Sequence, residues 1–266
     1  MPRIPVDNLT DPRLAPYREL SQRNLTRLSG LFVAEGDKVV DRLIASRYPV
    51  ASVLAEAPHA ERVVPHLPDE TPIYVASREL LEATIGFNFH RGILACGRRL
   101  PSPTVAEITR GTTDHSTIVV CPDVQDPTNL GGIIRAAAAF DCTAVVLGGK
   151  CADPLSRRVL RVSMGAALHL PVCESSDLPA DLASLSAEDY ELVATVLDPA
   201  AEPLATSNRP PKLALLLGSE GHGLGPEWLR LAHRRVTIPM RPGIDSLNVA
   251  AAAAVFLHHY RYPDRA

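Results

Sequence analysis

Positive charge is not in excess in this chain: 27 Lys+Arg stand against 30 Asp+Glu, a formal net charge of −3. That excludes the global basic field of a protein that coats nucleic acid over its whole surface, and leaves room for a local basic patch only. The first 100 residues carry 13 Lys+Arg against 12 Asp+Glu and the remainder 14 against 18, which tilts any such patch, by a small margin, toward the amino-terminal part. Disulfide and zinc frameworks are missing as well. The five cysteines (Cys96, Cys121, Cys142, Cys151 and Cys173) are odd in number and show no C-x-x-C spacing, so they read as reduced, mostly buried thiols. There is no positive-then-apolar leader, and no apolar run reaches the roughly 20 residues that span a bilayer. A soluble cytoplasmic protein with no membrane association and no metal is expected. No internal repeat or low-complexity segment is visible.

The 266 residues suffice for one generous domain or two small ones, and two are expected. Residues 1–20 mix Pro, Arg and Asp and read as an extended arm or short helix packed late. Glu35–Ser46 reads as a helix with Val39, Val40, Leu43 and Ile44 on one side, followed by strands at 50–54 and 73–75. A helix capped by Ser77 comes next, then a buried strand at 92–96. Arg99-Leu100-Pro101-Ser102-Pro103 breaks regular structure, because neither proline can donate to a ladder. The organisation expected is therefore a domain over 1–100, a linker over 101–114 and a second domain over 115–266. In the second, apolar strands without alternation (117–121, 143–147, 192–196, 213–217) alternate with helices at 129–140 and 154–164, the pattern of a parallel sheet covered on both faces. The alanine runs 136–139 and 250–254 are accounted for by tight helix packing.

Three polar, glycine-bearing turns interrupt these strand-to-helix junctions, where an open α/β sheet puts its ligands. The first is Asp126-Pro127-Thr128-Asn129-Leu130-Gly131-Gly132-Ile133-Ile134-Arg135. Asn129 stands at the expected helix N-cap. Arg135 is a permanent charge among apolar and small neighbours, and phosphate is the natural bidentate partner of a guanidinium. The second is Leu217-Gly218-Ser219-Glu220-Gly221-His222-Gly223. Its spacing, G-x-x-G-x-G-x-G counting Gly225, is not the G-x-G-x-x-G of a dinucleotide site, which argues against a nicotinamide enzyme. Its glycines permit close backbone contact with a flat ligand, and Glu220 is either a ligand acceptor, a base or a solvated loop acid. In the third, Asp245-Ser246-Leu247-Asn248-Val249, an N-cap role explains Ser246 but not the second amide at Asn248.

Together these residues resemble the three motifs of the SpoU (TrmH-like) RNA 2′-O-ribose methyltransferases of the SPOUT superfamily: Asn129 to Arg135, Leu217 to Gly221, and Ile238-Pro239-Met240 followed by Ser246 to Val249. Arg161-Val162-Ser163-Met164-Gly165-Ala166 and Leu170-Pro171-Val172 resemble the family's segment between the first two motifs. The likeness spans about 115–260. Residues 20–98 are more loosely similar to a ribosomal-protein-like substrate-binding domain, through Arg27 to Gly36 and Arg91 to Ala95.

The resemblance implies an α/β fold whose carboxy-terminal parallel sheet is tied in a trefoil knot, with a smaller α/β domain before it. It implies S-adenosylmethionine as cofactor, with Leu217, Gly218, Ser219, Gly221, Ile238, Met240 and Leu247 around it, and Asn129, Arg135, Glu220, Ser246 and Asn248 as the catalytic set. It also implies a homodimer, and RNA as substrate, with rRNA favoured over tRNA on account of the amino-terminal domain. Phe89 and Arg91 can stack on and clamp a nucleotide, or simply form a loop with one buried aromatic. Three rival readings differ from this one: a tRNA 2′-O-methyltransferase, a base methyltransferase of another SPOUT branch, and a non-catalytic RNA-binding or ribosome-assembly factor on the same fold, which predicts a loss of motif polar residues that this sequence does not show.

Overall fold

Two sheets organise the chain in a computed structural model that describes residues 3–18, 28–86, 90–112, 115–241, 243 and 246–261. The chain divides into two compact units, 1–101 with 155–169, and 102–154 with 170–266.

The first unit holds strands β1 (Arg3–Pro5), β2 (Leu31–Glu35), β3 (Val50–Ala55), β4 (Ile73–Val75) and β5 (Ile93–Arg98), ordered β1-β4-β3-β5-β2. β5 is antiparallel to β2 and β3, and the remaining pairs are parallel. Two readings of this region are corrected and one is narrowed. Of the two alternatives for the amino-terminal segment, the short helix (3-10, Pro12–Tyr17) is present; β1 before it extends the sheet, and Leu14 and Tyr17 of the helix are fully buried. The Tyr17 hydroxyl lies 2.6 Å from Ser52 Oγ on β3, which gives this buried phenol the partner it needs. Glu35 does not open a helix but ends β2. The helix begins only at Asp37, after Gly36 takes a positive φ of 83° that releases the chain from the sheet. Ser77 caps its helix as expected, accepting from Leu80 N. The Arg157–Val162 helix, shorter than the 154–164 expected, packs on β2 in this unit.

The second unit is built on β6 (Ser116–Cys121), β7 (Ala144–Leu147), β8 (Val172–Glu174), β9 (Glu191–Thr195), β10 (Glu202–Pro203), β11 (Lys212–Leu216) and β12 (Arg234–Thr237), ordered β10-β12-β9-β11-β6-β7-β8 with every pair parallel. β6 and β7 are buried along their whole length, as apolar runs covered on both faces require. On one face Ile118, Val120, Val146, Leu182, Leu185, Leu192 and Leu216 form a continuous core. Elsewhere in this unit the Pro127–Ala139 and Val249–His259 helices pack together. A Cβ on Gly132 would come within 2.7 Å of the Ala250 methyl, so the small residues set how closely these helices approach. From β6 the chain runs outward to β7 and β8. It then crosses back to lay β9, and later β11 and β12, on the other side. The strand order thus reverses beside β6, the kind of place where open α/β sheets open a crevice at the strands' carboxyl ends. No helix among the described residues is long and apolar enough to cross a membrane.

Candidate active site

Four neighbouring strands, β12, β9, β11 and β6, release their chains at the same carboxyl edge, and the polar turns meet there. The Pro127–Ala139 helix starts with proline at its first position, where no amide is needed. Its cap is Asp126, whose Oδ1 accepts from Thr128 N at 2.7 Å and Asn129 N at 2.9 Å. Asn129, read from the sequence as the cap, is therefore spared that task. It is 8% exposed, and its side-chain oxygen accepts 2.7 Å from Asn248 Nδ2.

A similar correction applies at the third turn. The cap of the Val249–His259 helix is Asn248 rather than Ser246: its Oδ1 accepts from Ala250 N at 3.0 Å and Ala251 N at 3.2 Å. With its oxygen occupied, the Asn248 amide nitrogen faces the other two turns, donating to Asn129 and, at 2.5 Å, to Glu220 Oε1. One residue from each motif thus joins a single chain of hydrogen bonds, with the Asn248 nitrogen as the shared donor. This accounts for the second amide that an N-cap alone left unexplained.

The second turn folds back on itself. Ser219 and Gly223 exchange backbone hydrogen bonds at 3.1 and 3.0 Å, and Gly223 takes a positive φ of 63°. Gly218 is required by close approach: a Cβ there would sit 2.2 Å from the Gly223 carbonyl carbon and 2.5 Å from Leu224 N. The doubled loop forms one wall of a cleft of about 540 Å³. Gly218, Ser219, Glu220, Gly221, Ile238, Met240, Ser246 and Leu247 all line it. Leu217 does not; it is 1% exposed and extends the β11 ladder, its amide donating to Val120 O at 2.9 Å. Arg135 lies off the cleft, six residues along the helix from Asn129. It is exposed, and no hydrogen-bond or ion-pair partner stands beside it among the described residues. Arg91 is exposed in the first unit, whereas Phe89 and Asp245 lie outside the described residues.

Sequence reasoning missed part of the lining: Thr195, Val196, Leu197 and Asp198 after β9, Leu224 and Leu229, Arg235 on β12, and Ala252 and Phe256 on the last helix. The signal available for the first four was topological, since the loop after β9 must emerge at the same edge as those after β11 and β12. Apolar side chains and backbone predominate, with Asp198, Glu220, His222 and Arg235 as the titratable groups. The volume and the sparse polar lining suit a cofactor-sized organic molecule. No cluster of three or more His, Cys, Asp or Glu suited to a metal ion occurs among the described residues.

Comparison with known proteins adds to this geometry. The model of the SpoU rRNA Methylase family matches residues 116–258. An uncharacterised tRNA/rRNA methyltransferase of Mycobacterium bovis is 40% identical over 258 residues, covering 92% of this chain and 87% of that protein. The 23S rRNA (guanosine(2553)-2'-O)-methyltransferase RlmP of Bacillus subtilis is 27% identical over 256 residues, covering 96% of this chain and 98% of that one. Among solved structures, the AdoMet-bound rRNA methyltransferase from Sinorhizobium meliloti matches with a TM-score of 0.84 at 25% identity over 96% of each chain.

Proposed function

The chain belongs to the SpoU rRNA methylase family, and from that premise we propose that it transfers a methyl group from S-adenosylmethionine to a ribose 2′-hydroxyl of RNA, with rRNA as the favoured substrate. The observation that carries the reading is the Asn129–Asn248–Glu220 hydrogen-bonded chain beside a cofactor-sized cleft. A non-catalytic descendant of the fold would have no need to keep Asn129 and Glu220 both bonded to Asn248 at one sheet edge.

The cleft residues fit the cofactor. Gly221 leaves its backbone open to a flat base and Gly218 lets the loop double back beside it, while Ile238, Met240 and Leu247 offer apolar contact. When bound, S-adenosylmethionine supplies an electrophilic methyl on a sulfonium. The protein's task is to bring a weakly acidic alcohol in line with it. Asn248 holds Glu220 and Asn129 at fixed positions for that purpose, and Ser246 lines the cleft two residues away. The guanidinium fork of Arg135 suits a phosphate rather than proton removal, so its role is to clamp the RNA phosphate next to the reacting ribose and polarise the hydroxyl. Proton removal then falls to that phosphate or to surrounding groups.

In this reading residues 1–100, joined by 155–169, serve as the RNA substrate-binding domain, and 102–154 with 170–266 as the catalytic domain, its carboxy-terminal segment threaded as a trefoil knot. The expected linker 101–114 instead holds the Val105–Thr109 helix, whose Val105 and Ile108 lie in the second unit's core. The protein works in the cytoplasm as a homodimer formed through the catalytic domain. Arg135→Lys tests the clamp: a methyl-transfer rate near wild type would remove the bidentate argument, whereas a loss of roughly 10²-fold or more supports it.

A further inference from the structure

Segment 155–169 alters the charge of the unit it joins. With it, the first unit carries 16 Lys+Arg against 12 Asp+Glu, a formal +4, while the second carries 11 against 18, a formal −7. Three of those cations, Arg157, Arg158 and Arg161, stand on the short helix packed against β2. At the end of β2 lies Glu35, only 4% exposed. Arg91 Nε is 3.6 Å from its Oε1 and Arg157 Nε is 3.6 Å from its Oε2. Burial pushes the Arg157 guanidinium down from its ordinary value. The Glu35 carboxylate opposes that shift, and Arg161 and Arg91 add to it, so the cations crowd one another. Arg42 joins from the neighbouring helix by donating to the Met164 carbonyl at the far end of the same segment. The nearby carboxylates Asp37 and Asp41 are already bonded to Arg62, and Asp37 to His59 as well. Two arginines therefore face a single buried carboxylate, with Arg161 one helical turn from Arg157 and Arg42 bonded to the end of the same segment. Self-repelling cations held together on a surface gain most from a polyanion, and guanidinium forks match phosphate.

We propose that Arg42, Arg91, Arg157 and Arg161 form a phosphate-binding face for the substrate RNA, with Glu35 as the internal counter-charge that keeps Arg91 and Arg157 in place. This rests on the methyltransferase reading for the identity of the polyanion. It goes beyond that reading by assigning backbone contacts to a segment that lies, in sequence, between two catalytic motifs. Contacts of this kind position RNA without reading its sequence, so a homopolymer reports them.

The test is fluorescence anisotropy of fluorescein-labelled poly(U) with the full chain over a range of KCl concentrations. Wild type is compared with the double variant Arg91→Gln/Arg161→Gln and with a control double variant, Arg3→Gln/Arg78→Gln. The control removes the same charge from the same unit at arginines facing Glu61 and Glu56. The slope of log affinity against log salt is expected to fall by about 1.4 in the first, about 0.7 per lost phosphate contact, and to stay unchanged in the control. Calorimetric affinity for S-adenosylhomocysteine should be equal in all three. An unchanged slope in the cluster variant, an equal fall in the control, or a wild type that does not bind poly(U) overturns the proposal. If the cluster slope falls while wild type transfers no methyl group to any RNA, the face stands and the methyltransferase reading fails.

Discussion

Asn248 caps a helix with its oxygen and bridges two motifs with its nitrogen, and two substitutions separate these tasks. Asn248→Asp keeps an acceptor for Ala250 N and Ala251 N, and adds a negative charge where a helix amino terminus favours one. It removes the donor to Asn129 and Glu220 and sets two carboxylates against each other. Asn248→Ala removes both functions. Loss of the cap costs about 1 kcal/mol, which in a chain of this size lowers Tm by about 2–4 °C. Loss of a hydrogen bond to a charged group costs about 1.5–3 kcal/mol, and the exposure of Asn248 argues for the lower end. If that interaction positions the reacting groups, it corresponds to a loss of about 10- to 100-fold in kcat/KM. Both variants should therefore lose activity and the stability of the bridge, whereas the Asp variant, which keeps the cap, should melt about 2–4 °C above the Ala variant. Differential scanning calorimetry and single-turnover methyl transfer read the two quantities. An Asp variant as active as wild type refutes the bridging role, and one that melts as early as the Ala variant refutes the cap.

Gly218→Ala should weaken S-adenosylhomocysteine binding by about ten- to hundredfold in calorimetry, because its methyl must displace the Gly223–Leu224 backbone at about 1–3 kcal/mol. Gly132→Ala gains about 1 kcal/mol of helix propensity but drives a methyl against Ala250, so net destabilisation in urea is expected, with partial rescue by Ala250→Gly. Burial pushes the thiols of Cys96, Cys151 and Cys173 up to about 11 and that of Cys142 to about 12. Their folded values exceed the unfolded one near 8.5, so the stability they contribute is fully present below about pH 8.5 and is lost as pH rises through 11. The urea midpoint followed by circular dichroism should fall between pH 8 and 10.5, and a flat profile would contradict the burial of these thiols.

The parallel sheet was legible because β6, β7, β9 and β11 carry apolar runs without alternation, as strands of a sheet covered on both faces do. The short elements were not: β8 and β10 have three and two residues, too few for any periodicity to register. At the site, the residue types were readable but the division of labour was not. Asp126, Asn129, Ser246 and Asn248 all have cap chemistry, and which of them caps depends on where each helix begins. The arginine cluster was hidden because residues 155–169 are close to Arg91 and Arg42 only after folding. A charge count split at residue 100 assigns them to the wrong unit.

The central claim is tested most directly by incubating the purified protein with methyl-labelled S-adenosylmethionine and, separately, unmodified rRNA and tRNA, then digesting the RNA with alkali. Label confined to one alkali-resistant linkage in rRNA is the expected result, since a 2′-O-methyl group blocks cleavage there. Label in tRNA alone would overturn the rRNA assignment. Label that leaves every linkage alkali-labile, or no transfer to either RNA, would contradict ribose methylation itself.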